Sequence, residues 1–125
     1  MPFVKIYYRR DKHADPKPIG DAVHEALVAQ ANVPRDDRFH VFLPLDDIVA
    51  DPTYGGVQRS DRLVIVEITL NAGRTVEIKK NLYADIARRL DAAGIRPDDV
   101  MVSLVEVTKE NWSFGGGRAT YAQVG

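Results

Sequence analysis

The first residue of this sequence that could do chemistry is Pro2, which follows the initiator Met1. Proline carries a secondary amine only as the first residue of a chain, and methionine is normally removed before so small a residue. An N-terminal amine titrates near neutral pH, and a desolvating pocket or nearby cations lower its pKa further. A free Pro2 could therefore accept or donate a proton at pH 7. The alternative is a strand start without chemistry, because many proteins begin with Met-Pro.

Two charged residues could hold or activate a small acid. Arg74 lies between the strongest predicted strand and a helix N-terminus, where backbone amides favour anions and a guanidinium can pair with a carboxylate. Asp37 precedes a predicted strand, where its carboxylate could orient water or stabilise a protonated amine. The alternatives are a solvated loop arginine and a solvated charged turn.

Four further candidates, for substrate binding, are His24, Asn71, Trp112 and Phe114. His24 lies at the flank of the apolar stripe of a predicted helix, where a histidine either contacts a substrate or packs. Trp112 and Phe114 belong to an aromatic and glycine-rich stretch, and aromatic rings can desolvate a pocket and shift the pKa of an amine. This stretch could also be an oligomer contact, and the two interpretations are compatible.

Composition narrows the class of protein. The 125 residues fit one domain with a modest core, and the formal charge of −1 argues against a nucleic-acid or anionic-membrane partner. There is no cysteine, and the histidines show no metal-ligand spacing, so we expect no metal site. We expect no organic cofactor either. The sequence has neither a membrane-spanning run nor a signal pattern, so a cytoplasmic location is expected.

The first half of the chain predicts strand, helix and strand. Residues 3–8 are rich in β-branched and aromatic side chains, which favour a strand. Residues 15–16 are suited to begin a helix and Asn32 to end it. Residues 39–43 predict the second strand.

The second half predicts the same order. Residues 63–70 form the strongest strand pattern, and their near-continuous apolar run predicts burial on both faces, or on one face and an oligomer contact. Thr75 is suited to cap a helix that Gly94 ends, and residues 100–107 predict another strand. Between the halves, residues 54–57 predict a tight turn joining short strands.

The repeated order predicts an α+β fold made of a tandem β-α-β repeat. We expect one domain over 1–125, with halves of about 1–58 and 59–125. Right-handed connections make the strands of each half parallel and place both helices on one face of a four-stranded sheet. The other face needs a cover, and a partner subunit is the simplest one.

The chain resembles the malonate semialdehyde decarboxylase group of the tautomerase superfamily over nearly its whole length. The stretch Trp-Ser-Phe-Gly at 112–115 is the most specific part of the resemblance. The other matching pieces are Met1-Pro2, residues 21–26, Val33-Pro34, residues 37–39, Gly73-Arg74, Leu82-Tyr83 and residues 117–119.

This resemblance implies the fold of macrophage migration inhibitory factor and a homotrimer with a site at each Pro2. It implies that Pro2 is the acid or base, and that Asp37 activates water or holds the protonated amine. It further implies that Arg74 binds the substrate carboxylate and that Trp112 and Phe114 form an apolar wall.

The sequence departs from this group at Asn71. The decarboxylase has a second arginine two residues before the one that matches Arg74, where this chain has Asn71 or Ala72. The connection also resembles that of cis-3-chloroacrylic acid dehalogenase, which would have an arginine at Asn71. A single arginine holds a short β-oxo acid less firmly, so the departure favours tautomerisation over decarboxylation.

We therefore expect an enzyme that uses Pro2 for keto–enol tautomerisation of a small carbonyl carboxylic acid. Decarboxylation or hydration of a short β-oxo acid such as malonate semialdehyde, with Asp37 activating water, is a first alternative. A trimeric binding protein without catalysis is a second, because a fold does not determine a function.

Overall fold

Four strands and two helices make up residues 1–121, the part of the chain that this computed structural model describes; residues 122–125, the end of the predicted aromatic tail, lie outside it. In chain order the elements are β1 (Phe3–Arg9), α1 (Lys17–Ala31), β2 (Phe39–Leu45), β3 (Val64–Asn71), α2 (Val76–Ala92) and β4 (Val100–Val107). Short 3₁₀ turns at Pro97–Asp99 and Lys109–Asn111 flank β4.

The strands form one sheet in the order β2-β1-β3-β4. Within each half the strands are parallel, and the register pairs Phe3 with Phe39 and Val64 with Val100. The two halves meet where β1 runs antiparallel to β3. The pairing of Phe3 with Phe39 brings the N-terminus of the chain beside the residues that precede β2.

Alternation along the central strands separates a covered face from an open one. Val4, Ile6 and Tyr8 of β1 are buried, and so is every second residue of β3. These side chains pack against the apolar stripes of α1 and α2 in one hydrophobic core. The open face carries large apolar side chains that are 41–51% exposed in the single chain, namely Phe39, Val41, Met101 and Val105.

Local capping explains where the helices begin and end. Thr75 accepts a hydrogen bond from the backbone N–H of Ile78 at 3.2 Å, as expected for an N-cap. Asn32 ends α1 in the left-handed conformation at φ 56°, and Gly94 follows α2 at φ 92°. Pro16 occupies the cap position of α1, while Asp15 accepts from the N–H of Lys17 at 3.1 Å.

The predicted α+β fold with both helices on one face of a four-stranded sheet is confirmed. The prediction of short strands around residues 54–57 is wrong, because the structure has a turn there inside a long irregular connection. The backbone N–H of Gly56 closes that turn on the Thr53 carbonyl at 3.1 Å. The domain boundaries stay a prediction. Within residues 1–121, neither helix has the length and apolar character needed to cross a membrane.

Candidate active site

The N-terminus and the turn before β2 form one corner of the molecule. The amino group of Met1 lies 3.8 Å from Oδ2 of Asp37, and Pro2 is buried beside it. While Met1 is attached, the nitrogen of Pro2 is an amide and has no basic lone pair. Removal of Met1 would create a secondary amine at the same corner, next to a carboxylate.

Asp37 has one oxygen without a donor. Its side chain is 13% exposed, and its Oδ1 atom is buried with no hydrogen-bond partner among residues 1–121. Its backbone N–H donates to the Pro34 carbonyl at 3.0 Å, which fixes the turn that carries it. An unpaired buried carboxylate oxygen is costly, so such a group is expected where a functional donor arrives.

A cavity of about 320 Å³ opens beside this corner, and its lining is mainly apolar. The lining residues are Pro2, Phe3, Phe39, His40, Val41, Trp112, Ser113 and Phe114. Phe114 stacks on Trp112 with ring centroids 5.4 Å apart and on Phe39 with centroids 6.5 Å apart. Three aromatic rings therefore form a wall that joins the stretch after β4 to β2.

Arg74 is tied to the main chain and does not line the cavity of the single chain. Its Nε and Nη2 donate to the Ala31 carbonyl at 3.2 and 2.9 Å, and its Nη1 donates to the Asn71 carbonyl at 3.1 Å. A guanidinium has five N–H donors, so two of them have no acceptor within residues 1–121 and could bind a carboxylate. The structure brings Arg74 close to Asn71, at the end of β3.

Asn71 contacts the cavity wall through its side chain. Its Oδ1 accepts a hydrogen bond of 2.7 Å from Nε1 of Trp112. A second bond, from the N–H of Ala72 to the Val107 carbonyl at 2.8 Å, holds the backbone there against the end of β4. Asn71 therefore links the connection of Arg74 to the aromatic wall.

His24 lies behind the cavity, on α1. Its Nε2 donates to the Arg35 carbonyl at 2.8 Å, while its Nδ1 is buried without a partner among the described residues. The ring packs edge-on against His40, with centroids 6.1 Å apart. The structure thus brings Pro2, Trp112 and Phe114 together in the cavity lining, places Asp37 beside the chain terminus, and leaves His24 outside the lining.

Sequence reasoning missed His40, which lines the cavity from β2. Burial, the charge of Arg38 and the proximity of His24 lower the pKa of His40 to about 4, so the imidazole is neutral. A Cβ atom on Gly20 would lie 2.8 Å from Nδ1 of His40 and 2.8 Å from the ring of Phe42, so only glycine leaves room for both rings. The predicted parallel pairing of β1 with β2 was the available signal, because it places the first residues of β2 beside Pro2.

The tandem β-α-β sheet with a proline and a carboxylate at its N-terminal corner is the arrangement that the resemblance to the tautomerase superfamily implies. Residues 37–115 match the sequence model of a family of tautomerase enzymes, and the chain belongs to this family. It is 37% identical over 123 residues to Probable tautomerase YusQ of Bacillus subtilis (strain 168), covering 95% of this chain and 97% of YusQ.

Solved structures agree with this assignment. The FG41 malonate semialdehyde decarboxylase inhibited by 3-bromopropiolate matches with a TM-score of 0.88 and 36% identity, over 95% of this chain and 93% of that chain. The Q0 fused 4-OT wild type symmetric trimer matches with a TM-score of 0.74 and 23% identity, over 96% of this chain and 97% of that chain, and supports the fold alone. The resemblance to the decarboxylase group is confirmed, and the protein is a tautomerase-family enzyme.

Proposed function

We propose that this enzyme catalyses keto–enol tautomerisation of small carbonyl carboxylic acids, with the amine of Pro2 as acid and base after removal of Met1. The observation that carries the proposal is the corner at Asp37. One oxygen of this carboxylate, Oδ1, is buried without a donor among residues 1–121, and the other, Oδ2, lies 3.8 Å from the amino group of Met1, so a protonated proline amine at this corner would lie close to the carboxylate. An ion-paired amine in an apolar cavity can both take and return a proton near neutral pH.

The proton balance is simple. Neutral Pro2 removes the proton of the enol hydroxyl, the electron pair moves to form the C=O bond, and protonated Pro2 delivers the proton to the neighbouring carbon. The overall change moves one proton from oxygen to carbon and consumes nothing. Asp37 stabilises the protonated amine between the two transfers. That the site needs neither a metal nor an organic cofactor stays a prediction.

The two remaining donors of Arg74 supply the anchor for the substrate carboxylate in this proposal. A charge-assisted pair of hydrogen bonds from a guanidinium suits a carboxylate, and the aromatic wall limits the access of water to the cavity. His24 supports the site from behind β2 through its contact with His40. Nucleic-acid and membrane partners are not expected, and the cytoplasmic location stays a prediction.

The proposal includes assembly into a homotrimer. The open face of the sheet leaves Phe39 and Val41 of one edge strand and Met101 and Val105 of the other edge strand substantially exposed, and large exposed apolar side chains on one face favour contact with another protein. A fused 4-OT protein of this fold is a symmetric trimer. Sedimentation equilibrium at micromolar concentration should give three times the mass of one chain, and a stable monomer would contradict the assembly.

Decarboxylation and hydration of a short β-oxo acid form the second candidate. Its support is the 36% identity to a malonate semialdehyde decarboxylase over 95% of this chain. The replacement of a second arginine by Asn71 weighs against it, because a second cation would stabilise the carboxylate and the enolate of a three-carbon substrate.

One panel of assays separates the candidates. Untagged protein with a free Pro2, verified by mass spectrometry, is tested on phenylenolpyruvate, 2-hydroxymuconate and malonate semialdehyde. Turnover of the enols with little release of carbon dioxide supports the tautomerase. Faster turnover of malonate semialdehyde supports the decarboxylase. No turnover of any of the three, or retention of Met1 in the native protein, supports the alternative of a binding protein.

A further inference from the structure

Asn71 occupies the junction between the strand end, the anchoring arginine and the aromatic wall. Its carbonyl accepts from Nη1 of Arg74 at 3.1 Å, and its side-chain Oδ1 accepts from Nε1 of Trp112 at 2.7 Å. The residue is the last of β3 and pairs in register with Val107 of β4. A rigid sheet end therefore holds the indole by one side-chain hydrogen bond.

A cationic side chain at position 71 could not make this hydrogen bond. The indole N–H is only a donor, so its partner must be an acceptor. A guanidinium has no acceptor, and an arginine at this position could not make the bond that Asn71 makes. The side chain at 71 either adds a second positive charge or fixes the indole, and in this chain it fixes the indole.

The indole in turn supports the rest of the wall. Trp112 stacks on Phe114 with an interplanar angle of 18°, and Phe114 stacks on Phe39 with an angle of 19°. The backbone that follows has Gly115, Gly116 and Gly117 at positive φ and no regular element. Side-chain contacts, rather than secondary structure, therefore set the position of these rings.

We infer that Asn71 is a specificity-determining positioning residue: by holding Trp112 it makes the site select flat, apolar enol acids with one carboxylate over three-carbon oxo acids. The inference rests on the proposed function and names its substrate class. An aryl- or alkenyl-substituted enol is planar through conjugation, so its tail can stack on the wall. A three-carbon oxo acid has no tail that reaches the aromatic wall, so its binding does not depend on how firmly Trp112 is held.

The first test uses fluorescence, because Trp112 is the single tryptophan of the chain. Asn71→Leu removes the acceptor at similar size and should shift the emission maximum and increase quenching by acrylamide. Asn71→Asp keeps an acceptor and should retain the wild-type emission. Asn81→Leu makes the same chemical change on the exposed side of α2 and is the matched control. Wild-type emission and quenching in Asn71→Leu would overturn the positioning role.

The second test is kinetic. Asn71→Leu should raise KM for phenylenolpyruvate about 2- to 10-fold, the effect of one lost hydrogen bond, with kcat nearly unchanged. KM for a three-carbon oxo acid should not change. Trp112→Phe keeps the stacking ring but removes the donor, so adding Asn71→Leu to it should have no further effect. Equal losses on both substrate types, or additive effects of the two changes, would overturn the inference.

A third measurement keeps the inference testable if no enol is turned over. Phenylpyruvate is titrated against the tryptophan emission, and Asn71→Leu should weaken its binding by the same 2- to 10-fold. If no enol is turned over but Asn71→Leu still binds phenylpyruvate more weakly than the wild type, the tautomerase proposal is contradicted and the inference about Asn71 is supported. Equal affinity of the wild type and the variant would contradict the inference whatever the activity.

Discussion

The corner at Asp37 and the connection at Arg74 carry opposite charges, and the two charged side chains differ in how many hydrogen-bond partners they have. Asp37 keeps a buried oxygen without a donor, whereas Arg74 donates three hydrogen bonds to the carbonyls of Ala31 and Asn71. An unsatisfied group costs stability and gains its partner only when the terminal amine or a ligand arrives. The comparison favours the proposed chemical role of Asp37, while Arg74 also holds the end of α1 against the end of β3.

The largest effect should come from blocking Pro2. A retained Met1 or an N-terminal tag converts the amine into an amide and should lower kcat/KM for phenylenolpyruvate by about 10²- to 10⁴-fold, the usual contribution of an acid–base group. The fold should be intact by circular dichroism, because β1 begins only at Phe3. Pro2→Ala retains a terminal amine and should keep partial activity. Equal activity of blocked and processed enzyme would reduce Pro2 to a strand start.

Asp37→Asn should lower activity without lowering stability. The change removes the charge that holds the protonated amine, so we expect kcat/KM to fall about 10- to 100-fold, as for loss of a charge-assisted hydrogen bond. It also replaces a largely buried carboxylate, one oxygen of which has no donor among residues 1–121, by a neutral amide, so the free energy of unfolding should stay equal or rise. Paired urea titrations and rate measurements check both parts. A clear loss of stability would show that Asp37 is structural.

Arg74→Ala should lower both activity and stability, which distinguishes it from Asp37→Asn. KM for carboxylate substrates should rise by about one decade, as for loss of a charge-assisted contact. Three hydrogen bonds to the main chain are lost as well, so stability should fall by about 1–3 kcal/mol. Arg74→Lys keeps the charge without the fork and should recover substrate binding better than stability. An unchanged KM on every accepted acid would remove Arg74 from the site.

The smallest effect concerns His40, where burial holds a histidine neutral. Its pKa is lowered to about 4 from the ordinary value near 6.5. The unfolded chain therefore binds a proton that folded His40 excludes, and stability should be complete above pH 6.5 and fall as the pH is lowered towards 4. His40→Leu should flatten this dependence in urea unfolding at pH 7 and pH 5. If the free energy of unfolding depends on pH in the same way in the wild type and in His40→Leu, groups other than His40 cause that dependence.

Much of the fold could be predicted from the sequence because its signals are local. Thr75 and Gly94 bound α2 as their capping chemistry requires, and the β-branched and apolar runs at residues 3–8 and 63–70 mark β1 and β3. The connection around residues 54–57 was predicted less well. Its glycines predict the turn correctly. The short strands predicted on either side of the turn are absent because a strand needs a pairing partner, and a local sequence pattern does not show whether a partner is present.

The candidate site could be predicted only in part. Pro2 and Asp37 are separated by a helix in the chain, and their proximity follows from the parallel pairing of β1 with β2. His40 was missed because the neutral state of its ring depends on burial, Arg38 and His24, and the room for its ring depends on Gly20, and these neighbours come together only in the folded chain. Asn71 was expected to bind substrate, and its bond to Trp112 involves residues 41 positions apart.

The amino-acid sequence by itself determined the order of the elements, the ends of the helices, the placement of both helices on one face of the sheet and the membership of the tautomerase family. These properties depend on short-range periodicity and on residue types. Only the tertiary structure decided which polar atoms are satisfied: the free oxygen of Asp37, the three carbonyl bonds of Arg74 and the indole held by Asn71. Hydrogen bonding and desolvation depend on distances of a few ångströms between distant parts of the chain, and those distances exist only after the sheet has paired.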